Sequence, residues 1–255
     1  VGFEAAMRLY KTEAVVLRRR PLGEKDEVVT LLSPRYGKIE AAARGSRKPT
    51  SPLVGKIEPF SHLQVMLARG RSLDHLTQAT LRRSWPGLRR DLDRLARASY
   101  LLELFACSTE SEVESRGCFN LLLSALEQLD QGAEPGRICR WVELSLLDLV
   151  GFGPRLDACA LCGSPQVGWF AAGAGGVLCS ACAPEWGRRL ALSPPALAAL
   201  RRLRSCGPRG AARLSLQEGP ARELERALQD HILCHWPQSL RSLQVLRSLR
   251  PRDRE

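Results

Sequence analysis

The sequence predicts an α+β chain: a five-stranded β-barrel over residues 1–83, then a helical domain over residues 84–255 carrying a four-cysteine motif at 159–182. Three observations predict it. Runs of β-branched residues separated by turn residues fill the first third, and apolar residues at helical spacing fill most of the remainder. Two Cys-x-x-Cys pairs interrupt the helical pattern. With 255 residues there is room for two modest domains, since domains run to roughly 100–150 residues.

The strands come first. TEAVVLRRRPL (Thr12 to Leu22), the polar turn Gly23-Glu24-Lys25-Asp26, EVVTLLS, the turn Pro34 to Gly37 and KIEAAARGSRK read as a three-stranded meander, because branched side chains suit a pleated surface. A Pro/Ser/Gly loop from Pro49 to Gly55 leads to HLQVMLARGRSLDHLTQATLRR, a hairpin turning near Arg69-Gly70-Arg71. Five strands in so short a stretch fit a small closed barrel such as the OB-fold, which uses one face and its loops to hold oligonucleotides. Strand count alone leaves an SH3-type barrel open.

From Pro86 the period changes. Leu88, Leu92, Leu95, Leu102 and Phe105 recur at helical steps, with Pro86 placed near the start of that helix, where proline is tolerated. Further helices are expected around Phe119 to Leu129 and Ile138 to Val150, the latter stopped by Gly151-Phe152-Gly153-Pro154. Ser193 is positioned to cap a helix through Leu197, Leu200 and Leu203. Arg222 to Trp236 and Ser239 to Leu249 also carry helical spacing, and the tail PRDRE is expected to fray.

Cys159-x-x-Cys162 and Cys179-x-x-Cys182 are separated by sixteen residues rich in glycine, the spacing of a four-thiolate zinc site. Each pair places two sulfurs on one small turn, and tetrahedral Zn²⁺ sits between the turns about 2.3 Å from each sulfur. With all four positions filled by protein, such a site is structural. The competing reading is a pair of redox motifs, but neither pair lies in a βαβ pattern. The other five cysteines (Cys107, Cys118, Cys139, Cys206, Cys234) are read as small buried apolar residues, and His231 with His235 as a weak alternative metal pair.

The charge is lopsided. The formal net charge is +11, and residues 1–84 hold 16 Lys and Arg against 8 Asp and Glu. All five lysines lie at or before Lys56. A field so placed points to a polyanion met by the barrel, and nucleic acid is favoured over merely solvated charge. The candidate contacts are Arg18, Arg19, Arg20, Lys25, Arg35, Lys38, Arg44, Arg47, Lys48, Arg69 and Arg71. Aromatic residues are few there, so grip on the phosphate backbone is expected to dominate over base stacking, with single and double strands both accepted.

The sequence excludes several function classes. A phosphate loop, a Gly-x-Ser-x-Gly elbow, a dinucleotide fingerprint and a His-x-Glu partner for the cysteine pairs are all missing. Acidic residues do not cluster as two-metal chemistry requires. Hydrophobic content of 44% with no apolar run near the roughly 20 residues of a membrane span speaks for a chain that needs no membrane. The first residues lack a secretory pattern, so a cytoplasmic location is expected.

At YKTEAVVLRRRPLGEKDEVVTLLSPRYGKIEAAARGSRKPTSPLVGKIEPF, SLLDLVGFGPRLDACALCG and GGVLCSACA the chain resembles the RecO family of bacterial DNA repair and recombination mediators, from Tyr10 to about Leu249. The resemblance implies an OB-fold followed by a helical domain with a zinc knob whose ligands are Cys159, Cys162, Cys179 and Cys182. It also implies annealing of complementary strands, binding of single- and double-stranded DNA, and partnership with RecR and the single-strand DNA-binding protein in loading RecA. By position, Lys38, Arg44, Arg47 and Lys48 belong to the family's DNA-contacting face, with Arg44 where many members have lysine. The six residues before Met7 match no family feature.

Two other readings compete with a non-enzymatic mediator. One is a zinc-ribbon interaction module for RNA or transcription machinery, which suffers from the lack of any Lys or Arg between Ala158 and Trp186. The other is a nuclease, which wants for carboxylate clusters.

Overall fold

In the first strand, the run Ala14-Val15-Val16-Leu17 does not alternate apolar with polar, and the fold explains why. A computed structural model describes residues 9–237 and 240–249. In it Ala14 and Val16 face the inside of a barrel, while Val15 and Leu17 pack into the helical core. A strand buried on both faces is selected to be apolar throughout.

Strands β1 (Leu9–Leu22), β2 (Asp26–Ser33), β3 (Gly37–Ala43), β4 (His62–Ala68) and β5 (Asp74–Arg83) close in the order β1-β2-β3-β5-β4. All pairings are antiparallel except β3 with β5, where Ala41 stands beside Asp74. This is the expected OB-type Greek-key barrel, and closure removes the exposed sheet edge that would otherwise pair with other chains. The loop between β3 and β4 has no regular helix, yet it inserts Leu53 and Ile57 into the barrel core.

Beyond β5, Pro86 does not open the expected helix. Pro86–Arg90 is a separate 3-10 turn, and α1 (Leu92–Ser108) begins afresh because the Asp91 side chain accepts a bond of 2.8 Å from the Arg94 amide. Leu92, read as part of the apolar stripe, is therefore 65% exposed in the first turn. Helices α2 (Arg116–Asp130) and α3 (Pro135–Leu149) follow, the latter capped by the Glu134 carboxylate at the Gly136 and Arg137 amides. A small sheet, β6 (Trp169–Ala171), β7 (Gly176–Leu178) and β8 (Leu190–Ala191), carries the cysteines on its flanks.

Ser193 caps α4 (Pro194–Ser205) as its position suggests, its Oγ accepting from the Ala196 amide at 3.3 Å. Helices α5 (Pro208–Arg213), α6 (Glu218–His235) and α7 (Ser242–Leu249) complete the chain. The helix expected from Ser239 starts three residues later; Ser239 itself, the tail PRDRE and the six residues before Met7 lie outside the described residues. Buried charge ties the helices together: Tyr100 of α1 donates to Glu143 of α3 at 2.7 Å, Arg140 bonds the same carboxylate, and Arg140 also reaches Glu225 of α6 at 3.2 Å. No described helix is long and apolar enough to cross a membrane.

The barrel and the helices share one apolar core. Val15, Leu17, Leu32 and Phe60 from the barrel belong with Leu101, Phe105 and Phe119 of the helices. The α1–α2 connection then runs along the β2–β3 turn: the Lys38 amide donates to the Glu110 carbonyl at 2.9 Å, Glu112 to Tyr36 at 2.9 Å, and Ser115 to Pro34 at 3.0 Å. Gly37, at φ +60°, permits this approach, since a methyl group there would sit 2.3 Å from the Glu110 oxygen and 2.6 Å from that of Val113.

Two glycines thus separate backbone strain from contact. Gly23 also has φ of +69° but nothing within 4 Å, so Gly23→Ala should cost only the left-handed penalty of about 1–2 kcal/mol in urea unfolding. Gly37→Ala adds a clash with backbone and should cost about 3–4 kcal/mol. Equal losses at the two positions would mean that the junction yields freely.

Candidate nucleic-acid interface and metal centre

The cations of the barrel sort by what they already touch. Beyond a bulge between Val16 and Arg18, Arg18 and Arg20 both approach Glu40 on β3, at 3.7 and 3.6 Å. Arg19 bonds Glu58 at 2.8 Å and lies 3.7 Å from Glu27. Arg69 is 3.0 Å from Glu112 and 3.7 Å from Asp74. Lys38 is turned toward the helices, its Nζ donating to the Ala106 carbonyl at 3.0 Å in the last turn of α1, where the helix dipole favours a cation.

Another group is less committed. Lys25, Arg44, Lys48 and Arg71 are exposed, and among the described residues their side chains have no carboxylate partner. Arg47 is exposed and makes only a long 3.4 Å bond to the Gly23 carbonyl, while Arg35 is exposed and lies 5.7 Å from the centre of the Tyr36 ring. The fold brings four of these together. The β1–β2 turn and the loop after β3 are joined by Gly45 N–H to Asp26 Oδ1 at 2.7 Å, Ser46 Oγ to Glu27 Oε2 at 3.0 Å, and Arg47 N–H to the Lys25 carbonyl at 3.1 Å. Lys25, Arg44, Arg47 and Lys48 therefore sit on one jointly braced pair of loops.

Sequence reasoning missed the carboxylates that hold the arginine triplet. Their signal lies in the register: Thr30 of β2 stands opposite Arg18 on one side and Glu40 on the other. The pairs to Glu40 and Glu58 are partly exposed, and surface pairs of this kind are worth about 0–1 kcal/mol each.

The four cysteines meet as their spacing requires. Cys159 and Cys162 occupy a turn closed by Cys159 N–H to the Ser164 carbonyl at 2.8 Å and Gly163 N–H to the Cys159 carbonyl at 3.0 Å, with Gly163 at φ +78°. Cys179 and Cys182 occupy a second turn, closed by Ala183 N–H to the Cys179 carbonyl at 3.0 Å. The β6–β7 hairpin and a bond of 2.8 Å from Ala160 to Val177 hold the turns side by side.

The four sulfurs lie within 4.8 Å of one another, and those of Cys162 and Cys179 are 3.7 Å apart. A tetrahedral ion at 2.3 Å from each ligand gives sulfurs about 3.8 Å apart, whereas a disulfide is about 2.05 Å long. No cysteine of the chain is in a disulfide. Backbone N–H groups of Cys162 and its neighbours draw the Cys159 thiol down to about 6, and the Cys182 backbone likewise lowers Cys179. Cys182 is pushed up to about 12 by its hydrogen bonds to the sulfurs of Cys179 and Cys162. Four sulfurs this close cannot all shed their protons without a cation, so the cluster fits a metal ion that replaces those protons.

The remaining cysteines are not the single buried class expected. Cys118 and Cys139 are buried, Cys107 and Cys206 are half-buried, and Cys234 is exposed on the outward side of α6. His231 spends Nε2 on the Phe152 carbonyl at 2.8 Å and His235 stacks on the Phe152 ring at 4.3 Å; burial lowers the pKa of both, and neither joins the cysteine cluster.

Comparison with known proteins agrees with this geometry. Residues 7–85 match the family described as recombination protein O N terminal, and residues 89–244 the one described as recombination protein O C terminal. A DNA repair protein RecO from Symbiobacterium thermophilum is 37% identical over 252 residues, covering 96% of this chain and 99% of that protein. One from a Roseiflexus species is 38% identical, covering 95% and 87%, and one from an Anaeromyxobacter species is 38% identical, covering 94% and 97%. A closed five-stranded barrel seated on a helical core with a four-cysteine knob, matched along nearly its whole length, belongs to the RecO family of DNA repair and recombination proteins.

Proposed function

We propose that the protein is a non-enzymatic mediator that binds single- and double-stranded DNA through the barrel and anneals complementary strands. The observation that carries this reading is the gathering of Lys25, Arg44, Arg47 and Lys48 on two loops locked to each other, none of them held by a carboxylate among the described residues. Phosphates that meet these cations release condensed counterions, and two strands so neutralised repel each other less. Arg18, Arg19, Arg20, Arg35, Arg69 and Arg71 extend the surface, the paired ones exchanging a carboxylate for a phosphate. Lys38 contributes by fixing the barrel against α1.

The helical part receives protein partners: RecR, the single-strand DNA-binding protein and, through them, loading of RecA. A groove of about 780 Å³ is lined by Arg97, Arg137, Arg140, Arg222 and Arg226 against Glu134, Glu218 and Glu225, an excess of positive charge that suits an acidic segment. Zn²⁺ in the thiolate cluster braces β6, β7 and the turns around them and takes no part in strand binding. The protein works in the bacterial cytoplasm at the nucleoid.

Annealing of fluorophore-labelled complementary strands should be accelerated at moderate salt and lose that acceleration as salt rises. Replacing Arg44, Arg47 and Lys48 together by Glu should weaken single-strand binding and flatten the slope of log K against log salt by about 2, at roughly 0.7 per lost phosphate contact. An unchanged slope would put the interface elsewhere. For the metal, elemental analysis should find about one zinc per chain. Cys159→Ser with Cys162→Ser should lower the melting temperature while the folded full-length chain keeps its DNA affinity. Loss of binding below the melting transition would give the metal a part in the interface.

A further inference from the structure

Two tyrosines far apart in sequence meet on the barrel. Tyr10 of β1 and Tyr36 of the β2–β3 turn pack edge to face with ring centres 4.7 Å apart. Arg69, at the start of the β4–β5 turn, lies over both, 4.7 Å from the Tyr10 ring centre and 5.5 Å from that of Tyr36. The exposed Arg35 lies over Tyr36 as well, at 5.7 Å. The polar end of Tyr10 is taken by Asp74, so what the pair offers outward is ring surface approached by two guanidinium groups. Both rings remain half-buried rather than covered.

Arg69 Nη1 faces two carboxylates of different standing, Glu112 at 3.0 Å and Asp74 at 3.7 Å. Asp74 is buried and fixed by Tyr10 and by the Gly70 amide at 3.0 Å. Glu112 reaches in from the α1–α2 connection, 74% exposed, from a backbone at φ +62° that non-glycine residues rarely adopt. Its own amide is bonded to the Tyr36 carbonyl at 2.9 Å, so the carboxylate is delivered to this spot by the turn that carries the ring. An exposed ion pair of this kind contributes little and is readily exchanged.

A flat π surface beside a cation whose bonding edge faces a displaceable anion is what one nucleotide of an unpaired strand needs: a place to stack the base and a place for its phosphate. We propose that Tyr36, Tyr10 and Arg69 form a subsite for a single unpaired nucleobase, in which the Glu112 carboxylate holds the place of the strand's phosphate. The subsite rests on the nucleic-acid reading above and sharpens it: the cationic loops take either form of DNA, whereas this pad accepts only a base that is free of its partner. Arg69 leaves Glu112 for the phosphate, keeps its place over Tyr10, and the base covers the ring surface.

The experiment is fluorescence-detected binding, at one fixed moderate salt, of the full chain to an oligothymidylate and to a deoxyribose-phosphate oligomer of the same length that has no bases. Tyr36→Leu keeps apolar bulk in the packed position and removes the π face; Tyr36→Phe keeps the ring. The leucine variant should bind the oligothymidylate roughly tenfold more weakly and the baseless oligomer as the parent does, while the phenylalanine variant stays near the parent on both. Glu112→Gln should tighten both oligomers, and Glu114→Gln, whose residue is paired with Arg116 instead, should not. The subsite is refuted if Tyr36→Leu leaves the oligothymidylate unaffected, if it weakens both oligomers equally, or if Glu112→Gln weakens binding. Failure of the unmodified chain to bind either oligomer would bring down the nucleic-acid reading itself, and the subsite with it.

Discussion

The contact on which the rest depends is the burial of β1 from both sides. Ala14 and Val16 close the barrel, and Val15 and Leu17, one residue away in each case, pack among the helices. Fully burying a side chain of this size stabilises by about 1.5–3 kcal/mol, and here the same strand supplies that gain to two cores at once. Because β1 cannot slip by one residue without turning each set into the wrong core, its register is pinned. The bulge after Val16 then re-aims the strand, so Arg18, Arg19 and Arg20 emerge where the apolar double face ends.

That rigid mounting decides what charge can do. A net count over the first third suggests a uniformly cationic skin, but the geometry divides it. Arg18, Arg19, Arg20 and Arg69 are matched with carboxylates, and Lys38 caps the end of a helix. The cations without a carboxylate partner among the described residues lie mainly on loops that are themselves braced by Asp26 and Glu27. Acidic residues here serve two purposes: some hold loop backbone in place and others pair with the cations of the strands.

Much of this was legible in the sequence, for physical reasons that differ by element. The barrel strands announce themselves through branched residues and turn glycines, and the cysteine cluster through a spacing that few other chemistries use. Leu92 misled because helical periodicity does not reveal where a cap restarts the count; Asp91 does so one residue earlier. Cys234 misled because residue type predicts average burial, while the face of α6 determines this case. The pairing of Arg18 with Glu40, and of Tyr10 with Tyr36, needed cross-strand register and loop packing that only the closed barrel supplies. The shared core was hidden because an apolar run does not say to which neighbour each face belongs.

Within this frame the four-cysteine cluster and the cationic loops are separate parts of the fold: the sulfurs bring two turns together beside the β6–β7 hairpin, and the loops lie on the barrel. Hydrogen exchange of the full-length chain, read by mass spectrometry with and without a bound oligonucleotide, tests that separation most directly. The account predicts added protection at Gly23–Asp26 and Arg44–Lys48, with Cys159–Cys182 unchanged. Protection confined to the cysteine segment, with the two barrel loops exchanging as in the free protein, would contradict it.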